Sequence, residues 1–184
     1  MENLKGQAML TSLNFQRALP LATTLRQKYP VKEDKYRKSV GRLLPHRICQ
    51  ILKELGYETW MNPNQGNGVD IKVWHNGRLV LVAEVLNWSV GSYLSEKRSR
   101  NIKNNLNQYN CPKVLIHTTL SNHEIQKFAD TDIKIFKIGY QLLPKYFYNF
   151  FRERNQIQQR RYDSKETKEN LKMKIQALME TITH

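Results

Sequence analysis

The stretch that decides the fold runs from Gly68 to Trp88 and reads GVDIKVWHNGRLVLVAEVLNW. It predicts a β-hairpin, with residues 69–75 as one strand, Asn76-Gly77 as the turn and residues 78–86 as the other strand. Asn-Gly between two runs rich in β-branched residues is the strongest short-range hairpin signal that a sequence offers. A hairpin here also limits where the neighbouring elements can pack.

Two acids lie in this hairpin at positions where a strand gains no stability from them. Asp70 enters the first strand, and Glu84 interrupts the apolar run of residues 79–86. Carboxylates are almost never fully buried unless they are paired or bind a metal. Since both acids lie near the same end of the hairpin, we expect them to share one divalent cation. For Asp70, the alternative interpretation is an ordinary acid at a strand edge.

The order and spacing of these residues resemble the PD-(D/E)xK nuclease superfamily, and within it the Holliday-junction-resolvase-like and archaeal-virus nucleases. In that family an Asp opens one strand and a (D/E)-x-K triplet lies on the next. Gly68-Val69-Asp70 is similar to the first half of the pattern. Residues 84–88, EVLNW, are similar to the family's EVKNW form, with Leu86 in place of the lysine. The resemblance covers about residues 36–120.

This resemblance implies an α/β fold, with a restriction-endonuclease-like αβββαβ core, a mixed central sheet flanked by helices, and helical extensions at both termini. The order of the predicted helices and strands independently favours a mixed α/β sheet with helices on its faces. The expected division is an N-terminal helical extension at residues 1–35, a nuclease-like core at 36–140 and a C-terminal helical segment at 141–184, in a single compact domain.

The resemblance also implies a metal-dependent reaction. Asp70, Glu84 and the main-chain carbonyl of Val85 would bind Mg²⁺ or Mn²⁺, because such ions prefer hard oxygen ligands. The ion would polarise a phosphodiester and lower the pKa of an attacking water. The family's lysine normally orients that water and offsets developing negative charge. Leu86 has no charge with which to do so.

Three lysines are candidates for the missing positive charge. Lys72 lies beside Asp70 on the first strand, whereas Lys97 and Lys103 lie on the helix predicted after the hairpin. We favour Lys97 as the third catalytic residue, with Asp70 and Glu84, because it lies on the helical turn nearest the site.

A helix is predicted from Ser39 to Leu55, after a charged connector at residues 31–38 and before Gly56 as its C-terminal signal. In related resolvases this helix often carries an acid that joins the metal site. Its position here falls near His46, so that His46, or Glu33 or Asp34 from the connector, is a candidate substitute. An ordinary surface histidine is the alternative.

Positive charge dominates the helix predicted at residues 92–109, for which Ser92 is a plausible N-cap. The chain as a whole carries a net charge of +14, so that a polyanion, first of all nucleic acid, is the expected partner. The alternative interpretation is that the basic residues of this helix form an ordinary solvent-exposed face. The residues expected to neutralise DNA phosphates are Lys72, Lys97, Arg98, Arg100 and Lys103.

The C-terminal region predicts two helices. The first, at residues 144–161, is rich in aromatic residues that either pack in a core or dimer interface or stack on unpaired bases, and it ends in Arg160-Arg161. The second begins after Asp163-Ser164. Its apolar residues recur at three or four positions and resemble a short coiled-coil seam, which favours a homodimer: Leu171, Ile175, Leu178 and Ile182.

Composition narrows the class of protein. The 184 residues include two cysteines, which indicates neither a disulfide framework nor a zinc site and favours a reducing, cytoplasmic setting. The resemblance to archaeal-virus nucleases extends this expectation to a host cell infected by a virus. We expect no signal peptide and no membrane span. The predicted function is a metal-dependent endonuclease that hydrolyses phosphodiester bonds in DNA, including branched or structured DNA. The alternatives are a DNA-binding protein on a nuclease scaffold that has lost its chemistry, and a protein acting on RNA.

Overall fold

The computed structural model describes residues 33–64, 68–89, 92–145 and 160–183. Contacts divide the chain into one unit at residues 1–38 and another at 39–184. Of the first unit, only the backbone of residues 33–38 is described, so the predicted extension at residues 1–35 lies almost wholly outside the description. The aromatic cluster of residues 146–151 lies outside it as well.

The described elements alternate between helices and strands in a way that fits an α/β protein. In chain order they are α1 (Glu33–Glu54), β1 (Glu58–Met61), β2 (Ile71–His75), β3 (Arg78–Leu86), α2 (Glu96–Leu106), β4 (Lys113–His117), α3 (Asn122–Gln126), β5 (Lys134–Lys137), β6 (Gln141–Leu143), β7 (Arg160–Tyr162) and α4 (Lys165–Thr183).

Strands β1 to β5 form one mixed sheet in the order β1-β2-β3-β4-β5. The first three strands are antiparallel, and β3, β4 and β5 run parallel. The predicted hairpin is confirmed as β2 and β3. Its turn residues Asn76 and Gly77 have φ values of 50° and 74°, the left-handed backbone that a two-residue type I′ turn requires. Strands β6 and β7 form a separate parallel pair.

Each face of the five-stranded sheet is covered by its own apolar core. The first core packs α1 and α4 against sheet residues such as Ile71 and Leu81. The second core packs α2 and the region after α3 against Val82 and Leu86. Since side chains on a strand alternate between faces, Glu84 lies on the α2 side together with Val82 and Leu86.

The buried side chain of Asn87 joins the end of β3 to two other elements. Its amide nitrogen donates to the carbonyls of Val40 at 2.7 Å and Leu142 at 2.8 Å, and its oxygen accepts from the Leu142 N–H at 2.8 Å. These bonds tie β3 to α1 and β6, so the Asn of the EVLNW stretch has a structural role.

Two predicted helix starts are wrong. Helix α1 begins at Glu33, so part of the predicted connector is helical, which suits its Glu, Lys and Arg residues. Helix α2 begins at Glu96 with Ser95, rather than Ser92, as its N-cap, and the Ser95 hydroxyl accepts from the Arg98 N–H at 3.2 Å. Glu96 in the first turn stabilises this start, because the N-terminus of a helix carries partial positive charge.

The C-terminal predictions also require correction. Arg160 and Arg161 lie in β7 and not at the end of a helix. Leu171, Ile175 and Leu178 are buried in the first core, so the predicted dimer seam packs within the chain's own domain. Apolar residues at helical spacing suit both a dimer seam and a helix face that packs in a core, and here they pack against the sheet.

Within the four described ranges, none of the helices has the length and apolar character needed to cross a membrane.

Candidate active site

The two predicted acids meet where β2 begins. The register pairs Ile71 with Ala83, which sets the preceding residue, Asp70, beside the next two residues of β3. The Asp70 carboxylate accepts a hydrogen bond from the Val85 N–H at 2.8 Å. Its carboxyl group also interacts directly with that of Glu84. The two acids therefore lie on one side of the sheet, close enough to share a proton or a cation.

Glu84 is 1% exposed and is held by two side chains of α2. Its Oε1 accepts from the Asn105 amide at 2.8 Å, and the same amide donates to the Gly68 carbonyl at 3.0 Å. Its Oε2 lies 3.5 Å from the Arg98 guanidinium. Gly68 has a φ of 78°, which allows the chain to turn just before Asp70.

Burial makes this pair difficult to ionise. Desolvation, followed by the negative charge of Asp70, raises the pKa of Glu84 to about 8, although Asn105 and Arg98 act in the opposite direction. Burial also raises the pKa of Asp70, although the Val85 N–H and Arg98 lower it in part. A proton on Glu84 therefore relieves the repulsion between the two groups.

The oxygen atoms at this point suit a hard divalent cation. The N–H and C=O of one strand residue point toward the same neighbouring strand, so the Val85 carbonyl is directed to the side of Asp70. Two carboxylates and one carbonyl are ligands that Mg²⁺ and Mn²⁺ prefer, with water completing the shell. Among the described residues, however, no three His, Cys, Asp or Glu side chains form a metal-binding group.

The first helix adds no acid to the described part of this site. His46 lies on α1 with its side chain exposed, which fits an ordinary surface histidine. The side chains of Glu33 and Asp34 lie outside the description. Among the residues whose side chains are described, the candidate ligands are thus the two acids of the hairpin, together with main-chain oxygen.

Arg98, and not Lys97, is the cation that contacts the carboxyl pair. Successive helical residues are about 100° apart, so the two side chains point in different directions. Arg98 lies four residues before Ile102 and seven before Asn105, on the face that packs against the sheet. Lys97 is exposed and makes no hydrogen bond or ion pair with another described residue. Its catalytic role remains a prediction without a contact to support it.

The other predicted cations have different surroundings. Lys103 forms an ion pair with Asp130 at 3.1 Å. The Lys72 ammonium lies over the rings of Trp60 and Tyr109 at 4.8 and 5.0 Å. Arg100 is exposed on α2. Lys97 and Arg100 are therefore the basic residues of this set most open to an external phosphate.

Leu86, at the position where the predicted nuclease motif would have a lysine, has an apolar side chain. It is 2% exposed and packs in the second core with residues such as Leu115 and Ile102. A lysine side chain that pointed in the same direction as Leu86 would have to bury its charge or displace the apolar side chains packed there.

Sequence reasoning missed Asn105 as a partner of Glu84 and assigned Arg98 only to DNA. The signal was present in the spacing, because Arg98, Ile102 and Asn105 share one face of a helix. A polar residue on the apolar stripe of a helix indicates a buried polar contact.

No protein-family model and no curated protein sequence matches this chain. Among solved structures, it is similar to the crystal structure of a protein of unknown function, AF1548, with 19% sequence identity and a TM-score of 0.40. The similarity covers 53% of this chain and 58% of that one, so the chain spans less than two thirds of that protein. The mixed five-stranded sheet and the helices on its faces are those of an α/β protein.

The raised pKa of Glu84 predicts how stability depends on pH without metal. The folded state holds this proton to about pH 8, whereas the unfolded chain releases it near 4.5. The contribution is therefore fully present below pH 4.5 and is lost as the pH rises through 8. In EDTA, the free energy of unfolding should fall by a few kcal/mol over this range. Urea denaturation at successive pH values measures it.

Glu84→Gln should flatten this dependence and make the protein more stable than wild type above pH 8. Glu58→Gln, at an exposed glutamate of β1, is the matched control and should keep the wild-type profile. Superimposable profiles for wild type and Glu84→Gln would contradict the assignment of the proton to this pair.

Proposed function

We propose that this chain is a metal-dependent endonuclease that hydrolyses phosphodiester bonds in DNA. Asp70, Glu84 and the Val85 carbonyl would hold Mg²⁺ or Mn²⁺. The observation that carries the proposal is the position of the Asp70 carboxylate, held by the Val85 N–H at 2.8 Å, directly beside the buried Glu84 carboxyl group. Burying two acids side by side destabilises a fold, and a divalent cation between them would offset that cost.

The arrangement of elements supports the same proposal. Helix α1 precedes an antiparallel β1-β2-β3 unit, and α2 then leads to β4, which is parallel to β3. This αβββαβ order is the one expected for a restriction-endonuclease-like core, which we include in the proposal. Asp70, directly before β2, and Glu84, on β3, would then occupy the positions of the two acids of that core.

The chain's own residues would divide the work at the scissile phosphate. A bound Mg²⁺ or Mn²⁺ would polarise the phosphate and lower the pKa of a nearby water. Arg98 would supply the positive charge that Leu86 lacks, because a guanidinium stays charged and can bind phosphate oxygens in a bidentate manner. Asn105 would fix the orientation of Glu84 by its hydrogen bond of 2.8 Å.

The choice of DNA as the proposed substrate rests on the excess of positive charge in the chain. The chain has 30 Lys and Arg residues against 16 Asp and Glu residues. Exposed Lys97 and Arg100 on α2 lie on the same helix as Arg98, so phosphates could be bound on both sides of the scissile bond. A cytoplasmic homodimer, suited to branched DNA with two-fold symmetry, belongs to the same proposal.

The second candidate is a DNA-binding protein without nuclease activity. The buried apolar position of Leu86 favours it, since the usual lysine is lost. The two candidates differ in one respect, namely whether DNA is cut in the presence of a divalent cation.

We expect the full chain to cut DNA with Mg²⁺ or Mn²⁺ and not with EDTA. Asp70→Asn and Glu84→Gln should each reduce the rate at least about 100-fold, because each removes a charged ligand of the ion. A labelled four-way junction, a linear duplex and single strands serve as substrates, with products resolved on denaturing gels.

DNA binding in EDTA is the control for this experiment and should be retained by both variants. Retained cleavage in both would reject the carboxyl pair as the site. An absence of cleavage by wild type, with binding intact, would favour the second candidate.

The relative roles of Arg98 and Lys97 give a separate prediction. Arg98→Ala should lower the single-turnover rate at saturating DNA by about 100-fold, since it removes the charge nearest the carboxyl pair. Lys97→Ala should weaken DNA binding but keep that rate within about threefold, because its side chain points away. Rapid-quench measurements with Mn²⁺ distinguish the two.

Arg98→Lys is the conservative variant and should recover part of the rate, since it keeps the charge but loses the fork of donors. If Lys97→Ala showed the larger loss of rate, Arg98 would not be the cation of the site.

A further inference from the structure

Two aromatic side chains and a basic one form a stack beside β1, the outer strand of the described five-stranded sheet. Trp60 lies on β1, which is the edge strand, and is 40% exposed. Lys72 on β2 is its cross-strand neighbour and holds its ammonium 4.8 Å from the indole ring. The ring of Tyr109 lies 5.0 Å from the same ammonium. We call these three residues the edge stack.

The edge stack lies next to the carboxyl pair. Ile71 and Val73 are buried in the first core, so Lys72 between them points to the opposite face of the sheet. That is the face on which Glu84 contacts α2. Lys72 follows Asp70 by two residues, or about 7 Å of extended chain. This distance is comparable with the length of one or two nucleotides in a strand.

The exposure of Trp60 is unusual for a packing role. A tryptophan that only covers a sheet edge would stabilise the fold most if its ring were buried. Here Lys72 lies over the indole ring, and much of the remaining ring surface faces solvent. A large exposed aromatic surface beside a fixed cation is the combination with which proteins bind unpaired nucleotides, by stacking on the base and neutralising the phosphate.

We propose that the edge stack binds an unpaired nucleotide next to the scissile phosphate. Trp60 stacks on the base, and Lys72, held in place by Trp60 and Tyr109, binds the adjoining phosphate. Bases inside a continuous duplex are stacked on each other and offer no free face to the indole. The edge stack therefore selects DNA with unpaired nucleotides, such as flaps, gaps, open branch points and single strands. This inference rests on the proposed function and names its substrate class.

Binding without cleavage tests the edge stack separately from the chemistry. The full chain is titrated in EDTA against a fluorescein-labelled oligothymidylate of 20 nucleotides and against a 20-base-pair duplex. Anisotropy gives Kd for each. Trp60→Ala should raise Kd for the single strand by roughly 5- to 150-fold and for the duplex by less than about twofold. Trp60→Phe, which keeps an aromatic face, should recover most of the affinity.

Lys72→Met tests the phosphate contact, because it keeps an unbranched side chain between the rings. It should reduce the slope of log K against log salt by about 0.7 for the single strand, the value for one phosphate contact. Tyr93→Ala is the matched control, since Tyr93 is also exposed and also lies over a lysine, Lys127, at 4.8 Å. It should leave both Kd values within about twofold. Thermal unfolding of each variant verifies that it is folded.

Several results would overturn the edge stack as a nucleotide site. These are equal losses on single strand and duplex in Trp60→Ala, no loss on the single strand, an equal loss in Tyr93→Ala, or no single-strand binding by wild type. None of them affects the cleavage experiment with Asp70→Asn and Glu84→Gln. Conversely, selective loss of single-strand binding in Trp60→Ala would support the edge stack even if no cleavage were found.

Discussion

The contact between the Asp70 and Glu84 carboxyl groups is the constraint on which the account of this protein depends. The Glu84 carboxyl group is removed from water beside a second acid, so that desolvation, followed by the negative charge of Asp70, raises the pKa of Glu84 to about 8. The Val85 N–H, the Asn105 amide and the Arg98 guanidinium each compensate a part of the charge. A proton is one way to complete the compensation, and a divalent cation is the other.

The fold brings these groups together through a few local features. The left-handed turn at Asn76-Gly77 starts the hairpin, and a bulge then shifts the register by one residue between Trp74 and Val73. The shifted register pairs Ile71 with Ala83 and so brings Asp70 beside Glu84. Helix α2 then crosses the same face and contributes two polar side chains to Glu84. Asn87 fixes the end of β3 against α1 and β6. The carboxyl pair therefore rests on a strand that is held from several directions, which favours a preorganised site.

The sequence predicted the parts of this arrangement that depend on short-range patterns. The hairpin and its turn follow from local turn chemistry, and the acid inside an apolar run marks Glu84 as unusual. The meeting of Asp70 with Glu84 also depends on the bulge in the hairpin, which the sequence reasoning did not predict. The choice of Arg98 over Lys97 depends on the rotation of α2 about its axis, which its contacts with the sheet determine. The use of Leu171 and Ile175 within the domain could not be predicted either, because a core stripe and a dimer seam have the same spacing. The start of α2 was misplaced because Ser92 and Ser95 are both suitable N-caps.

Titration of the full chain with MnCl₂, without nucleic acid, tests the central claim most directly. Calorimetry at pH 7 in two buffers of different ionisation enthalpy gives both the stoichiometry and the protons released. The account predicts about one Mn²⁺ per chain and release of about one proton, since Glu84 is largely protonated at this pH before the ion binds. Binding should tighten between pH 6 and 8 and be lost in Asp70→Asn. Absence of saturable binding, or unchanged binding in Asp70→Asn, would contradict the claim that these two acids form a cation site.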